Sequence, residues 1–266
     1  MIDTHAHVIA RDERRYPRAP LGGRQSDWSR ERPVSADEML AAMDAAGIAR
    51  TVLVQASTCY GHDNSYLADA VAAHPRRYIG VFSVDMLAPD APQRIRHWLG
   101  RGLSGLRVFI AGHTTAQDVR LDDARSFPAW ECAVQSGLPI CVQLRAPALG
   151  QLQTVLERFP QARVLLDHMA RPAPEDAERL FALAEFENLY LKLTTHNVRE
   201  LLQSFFPRVV KSYGAARIAW GSNYPAAAGP LDALVADARK ALAALSTEER
   251  DWIFSRTAKT FYPALA

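Results

Sequence analysis

The chain has 266 residues, of which 48% are hydrophobic and 23% charged, with a net charge of +2. That is enough apolar material for one large domain with its own core, needing neither disulfides nor a structural metal. So small a net charge argues against a nucleic-acid partner, and no apolar stretch is long enough to span a bilayer.

The three cysteines, Cys59, Cys132 and Cys141, are scattered and lack metal-ligand spacing, which suits a reducing compartment. Met1 leads almost directly into a strand pattern, with no basic-then-apolar leader. A soluble cytoplasmic protein is therefore expected.

Short apolar runs alternate with longer helical patterns along the whole chain. The strand patterns are Ile2–Val8, Thr51–Gln55, Tyr78–Val84, Gly105–Phe109, Pro139–Leu144, Arg163–His168, Leu189–Thr195 and Arg217–Asn223. The first helix is expected over Ser35–Ala46, with Ser35 as N-cap and Glu38 completing a capping box. Further helices are expected near Asn64–Ala73, Ala91–Gly100, Phe127–Ser136, Ala148–Phe159, Glu175–Glu187, Val198–Tyr213, Leu231–Leu245 and Thr247–Thr260. Eight strands, each followed by a helix, predict an α/β protein with a single (β/α)8 TIM barrel over residues 1–266. An open nucleotide-binding sheet is disfavoured, since no glycine-rich turn follows the first strand. The one long irregular segment, Ile9–Pro33, falls on the catalytic face of such a barrel, where long loops are usually functional.

The strongest chemical signal is His5-Ala6-His7 at the end of the first strand. Alternate residues of a strand share a face, so both imidazoles point the same way, as a metal pair or as groups that polarise a carbonyl. His168 closes the sixth strand with Arg171 just behind it, and Asn223 closes the eighth. An amide there can position water but cannot act as a general base. Lys192 on the seventh strand and His196 just after it are further candidates; His62, His74 and His97 read as surface residues. No Gly-x-Ser-x-Gly elbow is present, which argues against a serine nucleophile. In the first loop Arg11, Arg14, Arg15, Arg18, Arg24, Arg30 and Arg32 alternate with Tyr16 and Trp28, which suggests a basic lid that attracts a small acidic cyclic substrate.

Taken together, several motifs resemble the amidohydrolase superfamily of metal-dependent hydrolases, and within it the amidohydrolase-related branch that contains the 2-pyrone-4,6-dicarboxylate lactonases. They are Asp3-Thr4-His5-Ala6-His7, Val54-Gln55-Ala56-Ser57, Gly105-Leu106-Arg107, Asp167-His168-Met169-Ala170-Arg171-Pro172 and Trp220-Gly221-Ser222-Asn223-Tyr224-Pro225. The resemblance implies a hydrolase that opens a carboxylated lactone. It implies substrate contacts at Ser57, Arg107, His168 and Arg171, and metal contacts at His5 and His7 in metal-dependent relatives.

Three departures qualify it. Asn223 stands where the family has an aspartate that activates water. Gln143 stands where metal-dependent relatives have a histidine ligand and the lactonase a tyrosine. His113 stands where the lactonase has a second arginine. Losing the anionic ligand weakens a divalent site, so no cofactor is expected, with zinc or manganese as the alternative. The expected mechanism has His168, with His5 or His7, polarising the carbonyl, while one first-strand histidine acts as base. Arg107 and Arg171 grip a carboxylate, and Ser57, His113 and Gln143 complete the substrate contacts. The competing readings are a metal-dependent decarboxylase or amidohydrolase on the same barrel, and a binder of acidic metabolites that has lost catalysis with the missing aspartate.

Overall fold

The computed structural model describes residues 1–109, 119–172, 176–200 and 205–266. Eight parallel strands run in the order β1 to β8: β1 Ile2–Ala6, β2 Arg50–Val54, β3 Tyr78–Ser83, β4 Gly105–Phe109, β5 Ile140–Gln143, β6 Val164–Leu166, β7 Leu189–Thr194 and β8 Ile218–Gly221. The ring closes just beyond β8, where the Asn223 N–H donates to the His5 carbonyl (2.7 Å) and the His7 N–H donates to Tyr224 O (2.9 Å). Gly221 makes this seam possible, because a Cβ there would sit 2.7 Å from the Cβ of His5.

The strands are buried on both faces, as parallel strands covered by helices must be. Their two faces feed different cores. Outward residues such as Leu53, Val108, Val142 and Leu191 pack under the helices with Met39, Met43 and Leu152. Inward residues such as Val52, Val81, Cys141 and Leu165 form an inner core, closed at the bottom by Phe261, Tyr262 and Leu265 from the C-terminal segment. Moving up the barrel, the inward positions turn polar: Cys141 is followed by Gln143, Leu165 by Asp167, and Tyr190 by Lys192 and Thr194. The alternation that builds the core thus also delivers the polar centre.

Most helices stand where the periodicity places them. The first spans Ala36–Ala46, with the Ser35–Glu38 capping box formed in both directions and Gly47 ending it in the left-handed region at φ 68°. Two expectations are refined. Over the helix expected at Val198–Tyr213, the described residues are helical at Thr195–Glu200 and again at Phe206–Tyr213, where Phe205 is the N-cap and Pro207 sits in the first turn, a position that suits it. The segment expected as one helix over Glu175–Glu187 is helical at Ala177–Ala182 and tightens to a 3-10 turn at Leu183–Glu185.

β6 and β8 are shorter than expected because the chain turns sharply after each. Asn223 has φ 58°, and His168, Met169, Ala170 and Arg171 all have φ between 48° and 58°. Four consecutive non-glycine residues in the left-handed region are strained by roughly 1–2 kcal/mol each, yet the turn is held. The Arg171 N–H donates to His168 O (2.9 Å), Asn197 Nδ2 donates to the same carbonyl (2.8 Å), and Met169 and Ala170 are buried.

The long first loop is tied down. Ile9 N–H donates to Val34 O, Ala19 N–H to Cys59 O and Ser26 N–H to Thr58 O, at 2.7, 2.9 and 3.1 Å. No helix among the described residues is long and apolar enough to cross a membrane.

Candidate active site

A cavity of about 310 Å³ opens at the C-terminal end of the strands, where barrel active sites form. His7, Ser57, Arg107, Gln143, His168, Arg171 and Asn223 all line it, joined by Trp28, Arg145 and His196. His5 does not reach the cavity. It lies fully buried below, its ring 4.9 Å from those of His7 and His168. His113 lies outside the described residues.

Beneath the cavity is an ionic centre that the sequence reading did not assemble. Asp167, fully buried, meets Lys192 Nζ at 2.7 Å and Arg107 Nε at 3.1 Å, and lies 3.7 Å from His5 Nδ1. Burial pushes the Asp167 carboxyl upward, but Lys192, His5 and Arg107 overcome it and hold the group well below the usual carboxylate range. Lys192 Nζ also donates to His5 Nδ1 at 3.2 Å, so the proton of neutral His5 sits on Nε2, a buried atom without a partner among the described residues. Burial, then Lys192, lower His5 well below the ordinary imidazole value.

Hydrogen bonds fix the tautomers of both cavity histidines. His7 Nδ1 lies 2.8 Å from Val54 O; a carbonyl only accepts, so Nδ1 carries the proton and Nε2 is a bare lone pair. Asn197 sets the His168 tautomer. Its Nδ2 donates to His168 O, so its Oδ1 is the acceptor for the Thr194 N–H (3.0 Å) and hydroxyl (3.2 Å). Thr194 Oγ1, having given its proton to Asn197, accepts from His168 Nδ1 at 2.8 Å, leaving the Nε2 of His168 bare as well. Burial lowers His7 to about 3, aided by Arg107, and lowers His168 well below its ordinary value. Two neutral imidazoles thus offer acceptors at the cavity. This revises the expected role of His168, because a bare Nε2 accepts a proton and cannot donate to a developing oxyanion.

The donors come from elsewhere. Arg107, Arg145 and Arg171 line the cavity, and no carboxylate does so among its described residues. Arg107 is partly committed, through Nε to Asp167 and through Nη1 to Gln55 O at 3.3 Å. Arg145 was missed in the sequence, where a charge one residue past a strand reads as surface. Gln143 lines the cavity, and its Oε1 is buried with no partner among the described residues.

The seven arginines of the first loop do not line the cavity. Arg11 pairs with Glu38, Arg15 with Asp69, and Arg30 with Asp27, while Arg32 donates to Pro225 O and Ala226 O. What the loop delivers instead is Trp28, stacked on His7 with centroids 5.1 Å apart.

Asp3 anchors the seam, accepting from Ser222 N (2.8 Å), Ser222 Oγ (2.5 Å) and His5 N (3.0 Å); burial raises its carboxyl to about 6. His62 is not the surface residue expected. It is largely enclosed, its Nδ1 is 3.0 Å from Ser83 Oγ, and it lines a second cavity.

The fit to a metal is poor. Among the described residues no three His, Cys, Asp or Glu side chains are arranged to hold an ion. Of the described carboxylates near the histidines, Asp3 is taken up by Ser222 and the His5 backbone, and Asp167 is already matched by Lys192 and Arg107, whose charges would oppose a cation.

The amidohydrolase family model matches residues 2–264. An L-fucono-1,5-lactonase from Burkholderia ambifaria is 26% identical over 241 residues, covering 84% of this chain and 80% of that protein. A Pseudomonas putida structure assigned as a 2-pyrone-4,6-dicarboxylic acid hydrolase superposes with a TM-score of 0.81, at 22% identity over 100% of this chain and 98% of its own. The 5-carboxyvanillate decarboxylase of Sphingomonas paucimobilis superposes at 0.72, with 19% identity over 99% and 98%.

Proposed function

The chain belongs to the amidohydrolase family, and from that premise we propose that it is a hydrolase opening a small lactone that bears a carboxylate. One observation carries the reading: a cavity lined by three arginines and no described carboxylate, faced by two imidazoles whose Nε2 lone pairs are bare. The similarity to an L-fucono-1,5-lactonase supports the same class of bond.

In this reading Arg145 and Arg171, with the remaining donors of Arg107, hold the substrate carboxylate. Ser57 and Gln143 orient the ring. Asn223 hydrogen-bonds the attacking water. His7 Nε2 takes the water's proton as the oxygen bonds to the ring carbonyl carbon. His7 is assigned this role because its backbone N–H bonds to Tyr224 O, next to Asn223 in the chain, and both His7 and Asn223 line the cavity. A bound carboxylate offsets the Arg107 charge that depresses His7, making it a better base when substrate is present. The arginine donors stabilise the oxyanion. The ring C–O bond then breaks, and the proton held by His7 passes to the leaving oxygen, giving a hydroxy acid.

The donor set favours a reaction without a bound divalent ion. A decarboxylase on the same barrel remains the second reading, and it draws only on likeness of fold. The test is a panel of carboxylated five- and six-membered lactones followed by pH-stat. Turnover that His7→Gln abolishes supports the proposal; no turnover above the His7→Gln control refutes it.

A further inference from the structure

A second cavity of about 270 Å³ adjoins the first, and Phe109 at the end of β4 lines both. Its other walls include Val84, Met86, Leu121 and Trp130, all buried, with partly exposed Leu21 of the first loop beside them. Asp85, Arg120 and Ser126 also line it, and two further polar groups stand among the apolar walls. The indole N–H of Trp130 is buried with no acceptor among the described residues. His62 is held rigidly: Asn64 Nδ2 donates to its carbonyl (2.9 Å), and Gln55 Nε2 donates to the flanking Gly61 and Asp63 carbonyls (3.1 and 2.7 Å). Neither group has a part in the hydrolysis proposed above.

We propose that this cavity is a second subsite, holding an aromatic or short alkyl substituent with one acceptor oxygen, carried by the lactone whose ring occupies the first. The inference rests on the lactone-hydrolase reading and names the kind of lactone. Size agrees, since a cavity of about 150 Å³ suffices for a benzene ring. Chemistry agrees too: apolar walls desolvate a ring, and His62, lining the same cavity, can meet the oxygen. The cavities are also coupled, because the Arg107 guanidinium lies 4.6 Å from the centroid of the Phe109 ring that they share. A substituent packed on one side of Phe109 therefore supports the carboxylate clamp on the other.

The experiment compares two carboxylated lactones that differ only in a 4-methoxybenzyl substituent, in the wild type and in Leu21→Trp. Leu21 lies in a single turn outside the barrel core, so the larger side chain fills the cavity without disturbing the strands. Wild type is expected to favour the substituted lactone by about tenfold or more in kcat/KM. Leu21→Trp is expected to remove that preference and leave the plain lactone unaffected. Equal turnover of both lactones by wild type overturns the subsite and leaves the hydrolase reading standing. So does a preference that survives both Leu21→Trp and Leu121→Phe. If neither lactone is turned over, the hydrolase reading fails and the cavity is judged by calorimetry with 4-methoxyphenol. Binding that Leu21→Trp weakens about tenfold upholds the binding site, and no binding to wild type overturns it.

Discussion

Replacing Lys192 by methionine keeps most of the side chain's volume but removes the nearer of the two cations that face Asp167. At 2.7 Å, with an effective dielectric of about 20, the gross attraction is roughly 6 kcal/mol, and the Arg107 contact at 3.1 Å contributes about 5. Part of the loss is offset because methionine has no ammonium to desolvate, and Arg107 still faces the carboxylate. The expected destabilisation of Lys192→Met is therefore about 3 kcal/mol, at the low end for a broken buried pair. Asp167→Asn strands two buried cations and is expected to cost about 4–5 kcal/mol. The double variant should cost less than the sum by about 2 kcal/mol, because removing one partner relieves the charge that the other change leaves unpaired. Urea unfolding, followed by circular dichroism and by tryptophan fluorescence with coincident transitions, measures all three. If the two single losses add to within about 0.5 kcal/mol, the centre is not coupled and the reasoning fails.

Other outcomes follow from the same geometry. Asn223→Asp is conformationally mild, since both residues tolerate φ 58°, and a carboxylate there should raise kcat on a carboxylated lactone by about 100-fold; an unchanged kcat would mean that position does not touch the water. Asp3 is raised to about 6 from its ordinary 3.8, so its protonated form favours the folded state and that contribution fades as pH rises. The unfolding free energy of wild type relative to Asp3→Asn should fall by about 2 kcal/mol from pH 4 to pH 7, and a flat difference would refute the assignment. Dialysis against a chelator should leave lactone turnover unchanged, and elemental analysis should find substoichiometric zinc and manganese; a full equivalent would overturn the donor-set argument.

The barrel was legible because it is written in local pattern. Alternation on β5 and β7 sorts inner from outer residues, and the Ser35–Glu38 box marks a helix start three residues at a time. The histidine pair and the cavity residues Ser57, Arg107, Gln143, His168, Arg171 and Asn223 were legible by motif, whereas Arg145 was not. What escaped the sequence was of two kinds. The pairing of Asp167 with Lys192 and Arg107 joins three strands across the barrel, and no spacing along the chain announces it. The left-handed turn at His168–Arg171 has no glycine to signal it, and tertiary hydrogen bonds hold it against its local preference. Tautomers were equally hidden, because the bare Nε2 atoms of His7 and His168 follow from partners on other strands.

The seam between β8 and β1 joins parts of the chain that meet late. Asp3 and Ser222 are separated by 219 residues, and their contact adjoins the backbone bonds that tie Asn223 and Tyr224 to His5 and His7. Contacts of such separation carry the largest loop-closure cost and form slowly. The pocket therefore has no partial version in a nascent chain or a half-barrel fragment. Recovery of activity during refolding would time the joining of the ends, and it should lag the recovery of helix signal.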